Sequence, residues 1–282
     1  MMDWTLCAFA DEADAKISGQ ITALKKNDIP CLEVRGVDGK NISDLTPEEA
    51  RELRKRLDDA GVRVWSLGSP MGKISLTDDF EAHLDKFRRT LELGDILGAS
   101  ALRMFSFFLP EGVTPAEGRG QVIDQLGRMI DAAKGSALTL CHENEKGIYG
   151  AMAAECADLH AVFPTLRAVF DPANFIQCGQ PTLPAWELLH PYVEYYHVKD
   201  AFSDGRVVPA GCGEGHLPQL LAAYKAQGGK VLTLEPHLSV FDGLKALERE
   251  GEETKIDTYA YPTPEAAFDA AVDALKGILA TL

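Results

Sequence analysis

Short apolar runs alternate with amphipathic stretches along the chain. The runs are Trp4–Ala10, Cys31–Arg35, Val62–Leu67, Ala101–Phe105, Ala137–Cys141, Leu166–Phe170, Val193–Val198 and Val231–Leu234. Each has the length and aliphatic content of a buried strand. Between them apolar residues recur at helical spacing, as in Ile17, Ile21 and Leu24, in Leu53 and Leu57, and in Leu84, Phe87 and Leu91. Thr46-Pro47-Glu48-Glu49 and Thr114-Pro115-Ala116-Glu117 place a capping threonine, an early proline and a glutamate in the order that starts a helix. Thr263-Pro264 opens the last helix in the same way. Gly61, Gly98, Gly135 and Gly228 each stand just before a strand, where helices end.

Strands that alternate with helices pair in parallel. Eight such units without a break in composition predict an α/β fold, a closed (β/α)8 TIM barrel, as a single domain over residues 1–282. An open doubly wound sheet is the architectural alternative. Against it, no GxGxxG follows the first strand and no GxxxxGK[ST] occurs. The connection Leu238–Pro262 is too long for a plain turn. It is expected to contain a short helix and to form a partly mobile cover over the catalytic face, with Tyr259 and Tyr261 able to close on substrate.

Composition narrows the function. The chain has 282 residues, 46% of them hydrophobic, and a formal net charge of −15. A core of this size needs no disulfide staples. A binder of phosphate backbones needs clustered Lys and Arg, and no basic run is present, so nucleic acid is not the expected partner. The six cysteines include no CxxC pair, and the N-terminus lacks a basic region followed by a long apolar one. Both features suit a reducing cytoplasm. No apolar stretch approaches the ~18 residues of a membrane span.

Chemistry in this fold sits where strands end. Strand five runs into Glu143, strand six into Asp171, strand seven carries His197 and strand eight runs into Glu235. Alternation puts Leu138 and Leu140 on one face and Thr139, Cys141 and Glu143 on the other. Likewise Leu232 and Leu234 oppose Thr233 and Glu235, Val169 shares a face with Asp171, and Tyr195, His197 and Lys199 share another. If the aliphatic residues pack on helices, the four polar side chains converge on one barrel mouth. Taken singly, an acid after a strand is usually a helix cap or loop residue. Together, three carboxylates and an imidazole would repel one another without a cation. The donor set suits one divalent ion, Mn²⁺, Mg²⁺ or Zn²⁺. Glu33, Arg103, Lys199 and His216 are candidate substrate contacts, each weighed against a structural ion pair. Arg35 and Lys146 are further polar neighbours.

The stretches HENEKG, VFDPANF, YYHVKDA, GCGEGHLP and LTLEPHL, between residues 142 and 238, resemble the later strands of the sugar phosphate isomerase/epimerase family, the xylose isomerase-like barrels. The resemblance implies that Glu143, Asp171, His197 and Glu235 are metal ligands and that Glu143 and Glu235 also act as the acid/base pair. It implies a metal-dependent isomerase or epimerase of a small keto-sugar or sugar phosphate. Several epimerases of this group carry His three residues after the strand-six Asp. This chain has Asn174 there, which makes Asn174 a candidate substrate contact and leaves the substrate open. The same metal site would serve an inosose-type dehydratase. Endonuclease relatives that act on abasic DNA share the barrel but bind a metal cluster with more histidines, whereas this chain has seven in all, three of them in helical stretches. A barrel that only binds a ligand is the remaining class. Homo-oligomers are common among such barrels.

Overall fold

A computed structural model, which describes residues 4–241, 255–256 and 261–282, contains the expected closed barrel. Its strands are β1 (Thr5–Ala8), β2 (Cys31–Val34), β3 (Arg63–Leu67), β4 (Ala101–Met104), β5 (Thr139–Glu143), β6 (Arg167–Phe170), β7 (Val193–Val198) and β8 (Val231–Leu234). Every neighbouring pair is parallel, and β8 returns to β1 through Thr5 opposite Val231. The helices are α1 (Ile17–Lys26), α2 (Pro47–Ala60), α3 (Phe80–Leu97), α4 (Pro115–Ala132), α5 (Ala153–Val162), α6 (Pro172–Gln177), α7 (Thr182–Leu189), α8 (Leu217–Ala226) and α9 (Pro264–Leu279).

Local chemistry explains the boundaries. Thr46 with Glu49 and Thr114 with Glu117 form reciprocal capping boxes that satisfy the first N–H groups of α2 and α4. Gly61 and Gly98 end α2 and α3 in the left-handed conformation, at φ 72° and 64°.

Strand parity builds two cores. Leu32, Val34, Leu102, Leu140, Phe170, Tyr196, Leu232 and Leu234 face outward and pack under the helices. Cys7, Cys31, Ala101, Cys141, Val169, Tyr195 and Val231 face inward and fill the barrel. No disulfide joins the cysteines among the described residues. Leu232 is fully buried, so its truncation to Ala would cost about 2–5 kcal/mol.

Two details differ from the sequence reading. The fifth strand lies further along, at Thr139–Glu143 rather than Ala137–Cys141, because its ladder extends to Glu143 opposite Val169. Glu143 is therefore part of the strand, held by the sheet itself. Two small hairpins also follow strands, one joining Gly36–Val37 to Lys40–Asn41 and one joining Asp200–Ala201 to Val207–Val208. Most of the predicted cover, including any short helix in it and Tyr259, lies outside the described residues. Of its described parts, Leu238 and Phe241 are buried, and Lys255 accepts a hydrogen bond from Val207 N. Tyr261 is half-buried against the helix-facing core. Among the described residues no helix is long and apolar enough to cross a membrane.

Candidate metal centre

The period-two alternation brings the four predicted donors together. Glu143 ends β5, Asp171 follows β6, His197 lies in β7 and Glu235 follows β8. All four are buried, and one ligand atom from each lies within 4.8 Å of the others. His197 Nδ1 is 2.9 Å from Glu143 Oε1 and 3.0 Å from Glu235 Oε2.

Each carboxylate is tied down by one oxygen and offers the other. Glu143 Oε2 accepts from Arg103 at 3.0 Å, which leaves Oε1 toward the cluster. Glu235 Oε1 accepts from Arg35 at 3.0 Å, which leaves Oε2. Asp171 Oδ1 accepts from Asn174 N at 2.8 Å, which leaves Oδ2. The last bond also caps α6, so Asp171 is at once the helix cap and a cluster member. Asp171 Oδ2 and Glu235 Oε2 are buried yet accept no well-aligned hydrogen bond among the described residues. Lys199 Nζ is close to both, at 2.9 and 3.6 Å, but as an ion pair rather than an aligned donor. Two orphaned buried oxygens, a third carboxylate oxygen and an imidazole nitrogen fit a divalent ion with mixed O/N ligation.

The electrostatics agree. Burial pushes the Asp171 carboxyl up to about 6, with Glu143 and Glu235 adding to it against the pull of Lys199. Burial also opposes ionisation of Glu235, but Lys199 and His197 outweigh it and hold that carboxyl well below the usual range. Burial alone would lower His197. Glu143, Glu33 and Glu235 reverse this and hold its imidazole pKa well above the ordinary value. Without a metal ion, a proton on His197 and the ammonium of Lys199 supply part of the missing positive charge.

The other predicted residues separate into groups. Arg103 is sandwiched between Phe9 and Phe105, 5.2 and 4.9 Å from the two ring centres. Asn174 Nδ2 donates to Asn144 O at 2.9 Å and lies 3.4 Å from Glu143 Oε1. Lys199 joins Asp171 and Glu235 as above. Glu33 bonds to Tyr195 and to the far side of His197. His216 stands outside this network. It is exposed at the start of α8, with Nδ1 3.2 Å from the Thr182 hydroxyl.

The sequence reading missed a second layer. Arg35 Nε and Nη2 also donate to Asp11 at 2.9 and 3.1 Å, and Nη2 to Glu12 at 3.2 Å. Glu12 accepts from His237 N at 2.7 Å, and Phe241 lies against Arg35 at 5.0 Å. The signal was present in Phe9-Ala10-Asp11-Glu12, where an acidic pair follows the first strand. His237, Glu12 and Glu235 form a second group of metal-ligand types, but Arg35 already places its cation among the acids.

Fold and site together define a (β/α)8 barrel with a candidate metal centre at the C-terminal mouth. The chain belongs to the xylose isomerase-like TIM barrel family, whose model matches residues 21–258. Among solved structures it is similar to D-allulose 3-epimerase from Methylomonas sp. in complex with D-allulose, with TM-score 0.74 and 15% identity over 100% of this chain and 98% of that one. It is similar to the IolI protein with a bound zinc atom, at TM-score 0.73 and 15% identity over 98% of each chain. It is also similar to the probable 3-DHS dehydratase AsbF from Bacillus anthracis, at TM-score 0.73 and 14% identity over 98% of this chain and 99% of that one. At these identities the likeness carries the fold. None of the curated proteins matches the sequence.

Proposed function

We propose that the protein is a divalent-metal-dependent isomerase or epimerase of a small keto-sugar or keto-polyol, working by proton transfer at the carbon next to a carbonyl. The observation that carries this reading is the pair of glutamates flanking His197 Nδ1 at 2.9 and 3.0 Å, each with one oxygen fixed by an arginine. An ion held by Glu143, Asp171, His197 and Glu235 would act as a Lewis acid on the substrate carbonyl and acidify the adjacent C–H. Glu143 and Glu235 would do the proton work. One removes the proton, and the other returns it from the opposite face in an epimerase. In an aldose–ketose isomerase one of them returns it to the neighbouring carbon. Arg103 and Lys199 would meet the negative charge that develops on the substrate oxygens, and Asn174 and His216 would contact hydroxyls. The relatives support the substrate class, since one of them is an epimerase in complex with its sugar.

The test is turnover of keto-sugars and keto-inositols by metal-loaded protein in D₂O. Solvent deuterium should enter the acidic carbon, and Glu143→Gln or Glu235→Gln should slow turnover roughly 10²–10⁴-fold. Full turnover without deuterium would indicate a hydride shift or a shielded proton and would remove the two-base argument. Asn174, where several epimerases carry His, favours a second reading. The same proton abstraction followed by loss of a β-hydroxyl would make a dehydratase, recognised by a conjugated product that absorbs in the ultraviolet.

A further inference from the structure

Glu33 lies in β2 and by sequence alone is a candidate substrate contact. The structure gives both of its oxygens interior partners instead. Oε2 lies 3.2 Å from His197 Nε2, and Oε1 accepts from the Tyr195 hydroxyl at 2.7 Å. That hydroxyl is also 3.2 Å from Ser66 Oγ. Glu33, Ser66, Tyr195 and His197 all have 0% exposure. Tyr195 precedes His197 by two residues on β7, so both side chains face inward. They meet Glu33 across the lumen, because β8 and β1 lie between β7 and β2 in the ring.

The two imidazole nitrogens diverge. Nδ1 faces Glu143 and Glu235, while Nε2 faces Glu33 on the other side of the ring. A neutral imidazole carries one proton, and a metal needs the nitrogen without it. A carboxylate at Nε2 keeps the proton there and leaves the Nδ1 lone pair for the cluster. Metal-bound histidines are held by such partners, whose loss typically costs 10–100-fold in metal affinity. Tyr195 in turn occupies the second Glu33 oxygen and fixes the carboxylate plane.

We infer that Glu33 and Tyr195 are positioning residues that fix the tautomer and orientation of His197 for metal binding, and that Glu33 does not touch the substrate. The inference rests on the metal reading above. It assigns a purpose to a buried carboxylate that lies outside the four-donor group.

The experiment uses the full chain loaded with Co²⁺, with affinity read by chelator competition. Proton NMR in H₂O reads the hyperfine-shifted, exchangeable Nε2–H of a cobalt-bound histidine, and His197→Ala assigns the signal by removing it. In the parent protein that proton should be visible in H₂O and vanish in D₂O. Glu33→Ala should weaken Co²⁺ binding about 10–100-fold and broaden the signal through fast exchange. Glu33→Gln keeps the volume and an acceptor oxygen, so it should retain the signal at a changed shift with a smaller loss of affinity. Tyr195→Phe should act in the same direction, less strongly. If Glu33→Ala does not fold by circular dichroism, the Gln variant decides. Parent-like affinity and an unmoved signal in Glu33→Gln and in any folded Glu33→Ala would overturn the inference while the metal site stands. A parent protein that binds no cobalt, with Asp171→Ala behaving identically, would overturn the metal reading and this inference with it.

Discussion

Metal binding should expel a proton from His197, and the structure sets how strongly affinity follows pH. In the metal-free chain Nδ1 sits between Glu143 Oε1 and Glu235 Oε2, at 2.9 and 3.0 Å, with Glu33 at Nε2. Three carboxylates around one ring favour the doubly protonated form and hold its pKa well above the ordinary value. Nδ1 cannot donate to a metal until that proton leaves. Below the folded pKa of His197 the apparent affinity should therefore rise about tenfold per pH unit, or about 1.4 kcal/mol. Below about pH 6 the carboxyl of Asp171 also begins to hold a proton, and the slope should steepen toward two. The stability sign follows. A raised histidine pKa stabilises the metal-free fold fully below the unfolded value near 6.5 and less as pH climbs through the folded value. The metal-free Tm should thus fall with rising pH while the gain on adding metal grows. Isothermal calorimetry with Mn²⁺ in buffers of different ionisation enthalpy counts the protons directly, and about one per ion is expected at pH 7. A flat affinity with no proton released would refute both the charge state and the use of Nδ1.

Purified protein should carry one divalent ion per chain, and Asp171→Ala should lower that content sharply by elemental analysis. Unchanged stoichiometry would place the ion elsewhere. Asp200→Ala should lower Tm by several degrees while sparing metal content, because Asp200 accepts from Ala201, Gly211, Gly213 and Gly215 N at 2.9–3.0 Å and its loss strands those N–H groups. Pure protein should leave abasic duplex DNA intact in a gel assay. A metal-dependent, salt-sensitive nick would reverse the substrate class.

The barrel was legible because each strand packs its aliphatic face on helices, and that leaves a period-two trace in Leu138-Leu140 and Leu232-Leu234. The same trace carried the four donors, since parity fixes which side of the sheet a residue takes. It also placed Lys199 correctly inward. Parity does not say which partner a side chain meets across the lumen. Arg35 bonds to Glu235, 200 residues away, and Glu33 to His197, 164 residues away. No local pattern encodes those distances, so the sequence alone does not place Glu33 beside His197 or Asp11 and Glu12 beside Arg35. The stretch before His216 is a further long-range case. A glycine-rich stretch before a histidine resembles a binding loop, yet three of its backbone N–H groups, those of Gly211, Gly213 and Gly215, close onto Asp200 and the ring reaches Thr182.

The missed layer explains why so acidic a mouth holds its shape. Asp11, Glu12, Glu33, Glu143, Asp171 and Glu235 are all buried, and Arg35, Arg103 and Lys199 are the buried cations beside them. Full ionisation would leave more negative charge than the arginines and the lysine neutralise. Three groups lean toward a proton in response: His197 under its ring of carboxylates, and Asp171 and Glu12 through burial. A divalent ion among the four donors would replace such protons with a charge that pH does not remove. The arginines meanwhile hold the outer oxygens of Glu143 and Glu235 and leave the inner ones facing each other, so little ordering remains for binding to accomplish. Charge imbalance would supply the affinity for such an ion, and the arginine clamps its geometry. Replacing Arg35 or Arg103 should therefore disturb the site differently from replacing a ligand. Loss of a positive charge nearby favours the incoming cation, while loss of the clamp frees a glutamate to rotate. Arg103→Met is expected to keep its metal and lose turnover, whereas Asp171→Ala should lose both.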